Sequence, residues 1–418
     1  MKKNIFVPSL LAIAIMPSVS FADFLADSKT EVEATNYYMN TDYRNSDAAQ
    51  SKSEEWAQGF NAKFESGFTE GTVGVGVDVM AGAAFKLDSG DGTAGTGLLP
   101  EDRSSGGSQD NFTKLGVTGK AKISNTVLRV GALTPEMPVL MYYDELLLPQ
   151  VFRGVDITSN EIDNLTLKAG QITQVNDANS SDYTDMTVSI GERRNVVNAA
   201  RNGDQFRYLG GDYNIHPNLL TSYYYAELEN YYKQHFLGAS YIHHIDNNQS
   251  LVADIRYSRS TNDGTKYVNN IDNKAFGAML TYLNSGHAVG LGYQKMGGDT
   301  GFAYLEGTNP YLVNDVLIGS FSSADETSWQ VRYDYDFANM GVDGLSFMTR
   351  YVKGENIDRG AGLSEGHEWE RNTDVAYVMQ DGPAKDLSLT LRNSTYRSNL
   401  SSGNIDEVRL IVSYPLSI

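Results

Sequence analysis

Lysine and arginine recur in the polar phase of segments in which every second residue is apolar. Ten basic residues share this position: Lys63, Lys120, Lys122, Arg129, Lys168, Arg256, Arg332, Arg350, Arg392 and Arg409. Ammonium and guanidinium groups donate charge-assisted hydrogen bonds to carboxylates, and arginine can donate two at once. The chemistry favoured by these residue types is reversible binding of anions, not the making or breaking of bonds.

Residue combinations for covalent or metal chemistry are weak. The six histidines and many serines form no Gly-x-Ser-x-Gly motif, and no cysteine is present, which excludes thiol catalysis and thiolate ligands. His243 and His244 are adjacent in a strand-like segment, so their side chains point to opposite faces and cannot bind one metal together. We therefore predict that the chain is not an enzyme, has no metal site and needs no cofactor.

Alternating segments that would position the basic residues occur along the whole chain. In 328–337 and in 387–392, for example, apolar and polar residues alternate, and the chain ends on DEVRLIVSYPLSI. A period of two predicts a β-strand with one apolar face. A basic side chain at a lipid-facing position costs roughly 2–4 kcal/mol near the bilayer midplane. If the apolar face meets lipid, the basic residues must therefore face inward.

The start of the chain predicts export. Lys2 and Lys3 precede an apolar run from Ile5 to Ile15 that is too short to span a bilayer, and Ser20-Phe21-Ala22 resembles a cleavage site. We predict a signal peptide over residues 1–22 and one mature domain over 23–418. The formal net charge of −19 makes nucleic acid an improbable partner.

The alternating strands and polar loops predict an all-β protein, a transmembrane antiparallel β-barrel. In lipid every backbone polar group must be paired internally, so the sheet must close on itself. At ~9–11 residues per strand, the mature length accommodates roughly 16–18 strands around a water-filled lumen. A secreted β-sandwich or β-helix is the alternative fold, but the chain shows neither a linker nor a repeat of fixed period.

Several stretches resemble the OprD family of outer-membrane porins, the carboxylate channels of pseudomonads and their relatives. They include WAQGFNAKFESGFTEGTVGVGVD (56–78), LLLPQVFRG (146–154), SWQVRYDYDFANMGVDGLSFMTRYVKG (328–354) and DEVRLIVSYPLSI (406–418). The resemblance implies 18 strands, both termini in the periplasm and inward-folded constriction loops. It also implies a lumen ladder of basic residues that guides carboxylates, with Arg392 and Arg409 on ladder positions. Thr35, Thr41 and Thr390 stand where the family often has arginine, which weakens the ladder here.

A polar segment at 174–185 is expected at the position of the family's third loop, folded into the barrel. Asp177, Ser180, Asp182, Tyr183 and Asp185 are its candidate constriction residues, and Asp315 is a further candidate in a later loop. An acidic wall opposite a basic one would suit solutes that carry both an amine and a carboxylate.

The expected function is passive diffusion of carboxylate-bearing solutes through the outer membrane: amino acids, small peptides, aromatic acids and carbapenem antibiotics. The alternatives are a general diffusion porin and a plugged structural barrel. Expected partners are outer-membrane lipids and lipopolysaccharide, small solutes, and the barrel-assembly machinery through the C-terminal strand. The resemblance implies one lumen per chain, and we expect a monomer or a loose trimer.

Overall fold

The structure, a computed structural model, describes residues 22–45, 48–102, 104–191, 201–264, 267–268, 270–400 and 403–416. The predicted signal peptide lies outside these residues except for Ala22, which begins the short helix α1, Ala22–Ala26. A 3-10 turn covers Phe337–Met340. Among the described residues, no helix is long and apolar enough to cross a membrane.

Eighteen strands form one antiparallel sheet. In chain order they are β1 Lys29–Tyr43, β2 Lys52–Glu65, β3 Gly74–Asp88, β4 Asn111–Ile123, β5 Thr126–Leu133, β6 Val151–Ile162, β7 Leu165–Asn176, β8 Phe206–His216, β9 Leu219–Leu228, β10 Tyr232–His244, β11 Gln249–Asn262, β12 Asp272–Asn284, β13 His287–Gly297, β14 Thr327–Asp336, β15 Leu345–Ile357, β16 Gly366–Val378, β17 Ser388–Ser398 and β18 Ile405–Leu416. The sheet is closed because β1 pairs with both β2 and β18, from Val32 opposite Leu416 to Tyr43 opposite Ile405. The predicted barrel is confirmed, with the strand number that the family resemblance implied.

The two ends of the barrel differ in the length of their connections. At the end where β1 begins and β18 ends, which we call the turn end, four connections have only two residues: 124–125, 163–164, 217–218 and 285–286. Ser285 and Gly286 both have positive φ, as a tight hairpin turn requires. The opposite end, the loop end, carries the long connections 89–110, 134–150, 177–205 and 298–326. The described residues of these connections form six short strands: Glu101–Asp102, Gly107–Ser108, Glu136–Met137, Leu140–Met141, Val188–Ile190 and Ala303–Leu305.

The outer face of the barrel is apolar, as the alternation predicted. Val117, Val331, Leu391 and Leu410 are all exposed on it. Near the loop end, aromatic side chains form part of a girdle in which Trp329 and Trp369 flank Tyr351 at centroid distances of 5.5 and 5.7 Å. Tyr37 and Tyr224 do not belong to the girdle, because their strand phase turns them inward and they are buried there.

The inside of the barrel is partly filled by loops. The connection 134–150, which we call the crossing segment, packs Leu147 against Gly59 and Leu148 against Gly82. A Cβ at Gly82 would lie 2.7 Å from a Leu148 methyl carbon, so only glycine leaves room for the segment at that point. Val188–Ile190 pairs with Ala303–Leu305, which joins two further loops inside the lumen. The expected inward-folded loops are therefore present.

Candidate functional site

The lumen cavity lies between the crossing segment and the inner wall. It consists of a part of about 510 Å³ beside β1, β2, β17 and β18 and a part of about 270 Å³ beside β3 to β7. The two parts share Lys63, Met80 and Thr134 as lining residues, so they adjoin each other at these side chains. A solute that enters either part therefore contacts charged side chains.

The charges of the lumen cavity are predominantly negative. Its cationic lining side chains are Lys63, Arg129, Lys168 and Arg392, and its carboxylates are Glu31, Glu33, Glu65, Asp78, Glu136, Asp144, Glu145 and Asp156. Four cations and eight carboxylates give this lining a formal charge of −4. Strand phase in the sequence predicted the inward position of the cations. It did not predict the excess of carboxylates, because only basic residues were considered.

All ten basic residues nominated from strand phase face the inside of the barrel. The residues before and after each of them on its strand face outward, because they are exposed there or pair with outward-facing residues of the next strand. Within the described part of the chain, seven of them have a carboxylate within ion-pair distance. The pairs are Lys63–Glu65 (2.7 Å), Lys120–Asp78 (2.5 Å), Arg129–Asp156 (3.6 Å), Arg256–Asp254 (2.6 Å), Arg332–Asp334 (2.7 Å), Arg392–Asp374 (2.9 Å) and Arg409–Glu407 (2.7 Å). The wall therefore presents compensated charges more than a bare basic ladder.

Arg392 and Arg409 are direct cross-strand neighbours on β17 and β18. Their environments nevertheless differ. Arg392 lines the cavity and lies 4.0 Å from Glu145 of the crossing segment. Arg409 is only 4% exposed and donates to Glu407 (2.7 Å) and to the Tyr37 hydroxyl (3.2 Å). Of this pair, Arg392 is the residue that a solute in the cavity can reach.

Four of the other nominated cations contact different groups along the inner wall of the barrel. Lys120 and Lys122 lie beside the Phe68 ring near the turn end, with Nζ 4.9 and 5.8 Å from its centroid. Lys168 donates to the Glu136 carbonyl oxygen (3.1 Å). On the far wall, Arg256 stacks on the Tyr311 ring at 3.9 Å.

Arg332 and Arg350 are cross-strand neighbours on β14 and β15. Arg350 donates to the Asn372 amide oxygen (2.6 Å) and interacts electrostatically with Asp315. The candidate Asp315 therefore belongs to the inner side of the barrel. Its connection, 298–326, is the seventh at the loop end.

The candidate constriction residues of 174–185 share one turn, in which the Ser180 backbone N–H donates to the Asp177 carbonyl oxygen (3.0 Å), but their side chains point to different sides of the barrel wall. The structure makes this segment the start of the fourth connection at the loop end, whereas the third is the crossing segment. Asp177 is internal, and its carboxylate accepts from Arg201 (2.9 Å). Tyr183 instead lies under the Arg153 guanidinium (4.2 Å) on the outer rim, and Ser181 accepts from the Thr113 backbone N–H there. The expectation of one acidic wall from these residues is therefore wrong: Ser180 and Asp182 flank this outer contact, and Asp185 is exposed.

Two basic residues missed in the sequence join the loops inside the lumen. Lys114 is buried and donates to the carbonyl oxygens of Pro149 (2.9 Å) and Asp177 (2.6 Å). Arg201 bridges Asp177 and Glu306, with the second contact at 3.1 Å. Burial raises the pKa of Glu306, and the Arg201 charge opposes that shift. The inward phase of Lys114 was visible in the alternation, but Arg201 lies in a loop without a periodic signal.

Residues 313–323, which we call the strap, line the far wall from inside. Gln294 donates to the Phe321 carbonyl (2.7 Å), and Asn314 donates its backbone N–H to Gln294 (2.9 Å). The buried Glu370 carboxylate accepts from the backbone N–H groups of Ile318 (3.1 Å) and Gly319 (2.7 Å). Wall side chains thus fix a loop that narrows the lumen.

The crossing segment contributes a titratable pair to the cavity. Burial, followed by the nearby Glu145 charge, raises the pKa of Asp144. Burial and the Asp144 charge raise the pKa of Tyr142 to about 12. Asp144 therefore takes up a proton at a higher pH than an exposed aspartate does.

Comparison with known proteins shows the same architecture in a group of bacterial channels. The family model described as "outer membrane porin, OprD family" matches residues 22–418. The porin-like protein GalP of Pseudomonas putida is 37% identical over 416 residues, covering 99% of this chain and 98% of GalP. The crystal structure of OpdQ from Pseudomonas aeruginosa is 49% identical with a TM-score of 0.85, covering 94% of this chain and 99% of OpdQ. The crystal structure of OpdK with vanillate, from the same organism, is 35% identical to this chain with a TM-score of 0.85. The match covers 94% of this chain and 99% of OpdK.

Proposed function

The chain belongs to the OprD family of outer-membrane porins, and we propose that it is a selective channel for small solutes that carry both a carboxylate and a cationic group. It is a channel and not an enzyme, and its location is the bacterial outer membrane. Amino acids, small peptides and carbapenems with an amine fit this description. Aromatic acids without a cationic group are expected to pass less readily.

The observation that carries the proposal is the mixed lining of the lumen cavity. Arg392 offers a guanidinium at the crossing segment, and Lys63 offers an ammonium on the opposite part of the same space. Glu31, Glu33 and Asp144 lie in that space as well. A solute carboxylate can exchange with a wall carboxylate at Arg392 while its ammonium group is attracted by the acids.

Paired wall cations suit transport because each contact must be weak enough to release the solute. At an effective dielectric of 20–80, a unit-charge contact at 4 Å contributes roughly 1–4 kcal/mol before desolvation is subtracted. Competition from Asp374 and Glu145 reduces the net gain further. The lining therefore favours rapid exchange of partners.

A liposome-swelling assay with four solutes of similar size tests the proposal. We expect a zwitterionic amino acid to enter faster than a neutral sugar, and a monoanionic carboxylate to enter more slowly than the zwitterion. The amide of the amino acid, which is only cationic, reports the contribution of the carboxylate.

Equal rates for the four solutes would indicate a general diffusion porin, and no swelling with any of them would indicate a plugged barrel. The vanillate complex of OpdK shows that a relative holds an aromatic carboxylate. If the monoanion entered fastest here, an anion ladder would describe the channel better than the mixed lining.

A further inference from the structure

A groove of about 720 Å³ lies on the outer wall of the barrel between β4 and β7. Outward-facing side chains line it, together with backbone exposed at glycines. We call it the wall groove, and its side-chain lining is Leu115, Val117, Val130, Arg153, Val155, Ile157, Ala169, Gln171, Thr173 and Tyr183. Its volume lies in the range of sites that hold a small-molecule ligand.

Local sequence explains why the wall is indented here. Strand β5 has only eight residues, and Ala169 of β7 presents a methyl group where much of the outer wall carries larger side chains. Gly131 has φ of +137° and packs against the β4 backbone, where a Cβ would lie 2.1 Å from the Val117 carbonyl oxygen. A register shift follows Arg153 on β6. A bulge of this kind bends the strand and changes the local surface.

The floor and the loop-end rim of the wall groove differ in chemistry. Val130, Val155 and Ile157 form an exposed apolar floor. Arg153 lies at the loop end, four positions before Ile157, a distance of about 13 Å along a strand. The Arg153 guanidinium covers the Tyr183 ring at 4.2 Å and donates to the Gln174 amide oxygen (2.8 Å).

Arg153 has no ion pair with a carboxylate of the described residues, unlike most of the lumen cations. It also faces the membrane rather than the lumen. A guanidinium at the boundary of the outer leaflet suits a phosphate, to which it can donate two parallel hydrogen bonds. In outer-membrane barrels the long loops face the cell exterior. The loop-end rim of the wall groove therefore lies among the headgroups of the outer leaflet.

We propose that the wall groove binds one acyl chain of a phosphorylated glycolipid of the outer leaflet, with Arg153 contacting a phosphate of the headgroup. The apolar floor receives the chain parallel to the strands. Tyr183 holds the guanidinium in place through its ring face and borders the headgroup. The segment that the sequence suggested as a constriction wall thus contributes to a lipid site.

Native mass spectrometry of the purified full-length chain in detergent tests this site. The probe is bisphosphorylated lipid A, compared with the same lipid after removal of both phosphates. Arg153→Gln removes the charge but keeps hydrogen-bond donors, and Ala169→Phe fills the groove. Matched controls on the other side of the barrel are Arg371→Gln and Ala278→Phe, which replace outward-facing residues of β16 and β12.

We expect Arg153→Gln to lower the affinity for lipid A roughly tenfold, equivalent to about 1.4 kcal/mol, and Ala169→Phe to remove one bound lipid per barrel. Both controls should bind like the wild type, and the phosphate-free lipid should not distinguish wild type from Arg153→Gln. Heat-dependent gel mobility verifies that each variant is folded.

Equal binding by all variants would overturn the proposal. The proposal would also be overturned if the wild type were a dimer and Ala169→Phe made it a monomer without changing the number of bound lipids. The wall groove would then hold a second copy of this chain. Equal losses in the variants and their controls would also overturn it, because the effect would then not depend on the groove.

Discussion

At the scale of single residues, charge compensation separates cations that meet the solute from cations that hold the wall. Arg392 lines the lumen cavity, whereas Arg409 is buried with Glu407, which is 1% exposed and also accepts from Thr41 (2.8 Å). Partners two residues apart on one strand, as in Lys63–Glu65 and Arg332–Asp334, project on the same face. Such spacing could have been recognised in the sequence.

The first prediction contrasts two neighbouring arginines. Arg392→Ala should fold normally, cut entry of zwitterionic amino acids several-fold and barely change a neutral sugar, because a cation is lost from the solute path. Arg409→Ala should instead destabilise the barrel by about 3–5 kcal/mol, since it leaves a buried carboxylate unpaired. Swelling rates and unfolding of the purified barrel measure the two effects. Equal loss of both solutes in Arg392→Ala would mean that this arginine only shapes the pore.

The second prediction concerns Asp144 and pH. The raised pKa of Asp144 means that acidification from about pH 7 protonates it before ordinary aspartates, which titrate near 3.9. The cavity then becomes less negative, so preference for cations should fall as the pH drops. Asp144→Asn should already show the lower preference at neutral pH and change less on acidification. Asp381→Asn, in an exposed turn, is the control, and the account of Asp144 fails if both variants follow the wild-type profile.

At the scale of elements, strand phase was predictable because a two-residue period gives each side chain one of two environments. Leu410 and Arg409 demonstrate it on β18, where one is exposed outside and the other is buried inside. The paths of the loops were not predictable in this way. Their positions depend on contacts across the lumen, such as Leu148 in the space left by Gly82 and Lys114 on two loop carbonyls. For this reason Tyr183 was expected inside but lies on the outer rim.

The third prediction tests strand phase through insertion. Leu410→Arg should impair insertion or destabilise the barrel, by about 2–4 kcal/mol if it lies near the midplane. Thr390→Arg, inward on β17 opposite Ile411, should insert normally and raise preference for anions. Fractionation and heat-dependent gel mobility report insertion. Normal insertion of Leu410→Arg together with loss of Thr390→Arg would reverse the assigned faces.

The fourth prediction concerns the strap. Glu370→Ala should leave the Ile318 and Gly319 amides without their acceptor, at roughly 1–3 kcal/mol for each buried group left unpaired. The loosened strap should then increase current fluctuations and alter conductance in planar bilayers. Glu370→Gln keeps an acceptor oxygen and should have a smaller effect. Identical traces for wild type and Glu370→Ala, in barrels shown to be folded, would remove Glu370 from control of the constriction.

At the scale of the whole molecule, one closed sheet separates two surfaces with different solvents. The outer surface is apolar and carries the wall groove, and the inner surface is polar with loops packed against it. The C-terminal strand closes the barrel against β1. Recognition of that strand by the assembly machinery stays a prediction, as do signal-peptide cleavage and the monomeric or loosely trimeric state. None of these depends on the charge of the lumen.

The reversal potential of single wild-type channels in a KCl gradient tests the central claim most directly. The formal charge of −4 on the lumen cavity predicts selectivity for K⁺ over Cl⁻ at neutral pH. The preference should be stronger at low salt, where the Debye length is about 30 Å at 0.01 M. A reversal potential of the opposite sign, indicating preference for Cl⁻, would contradict the account and restore a dominant basic ladder.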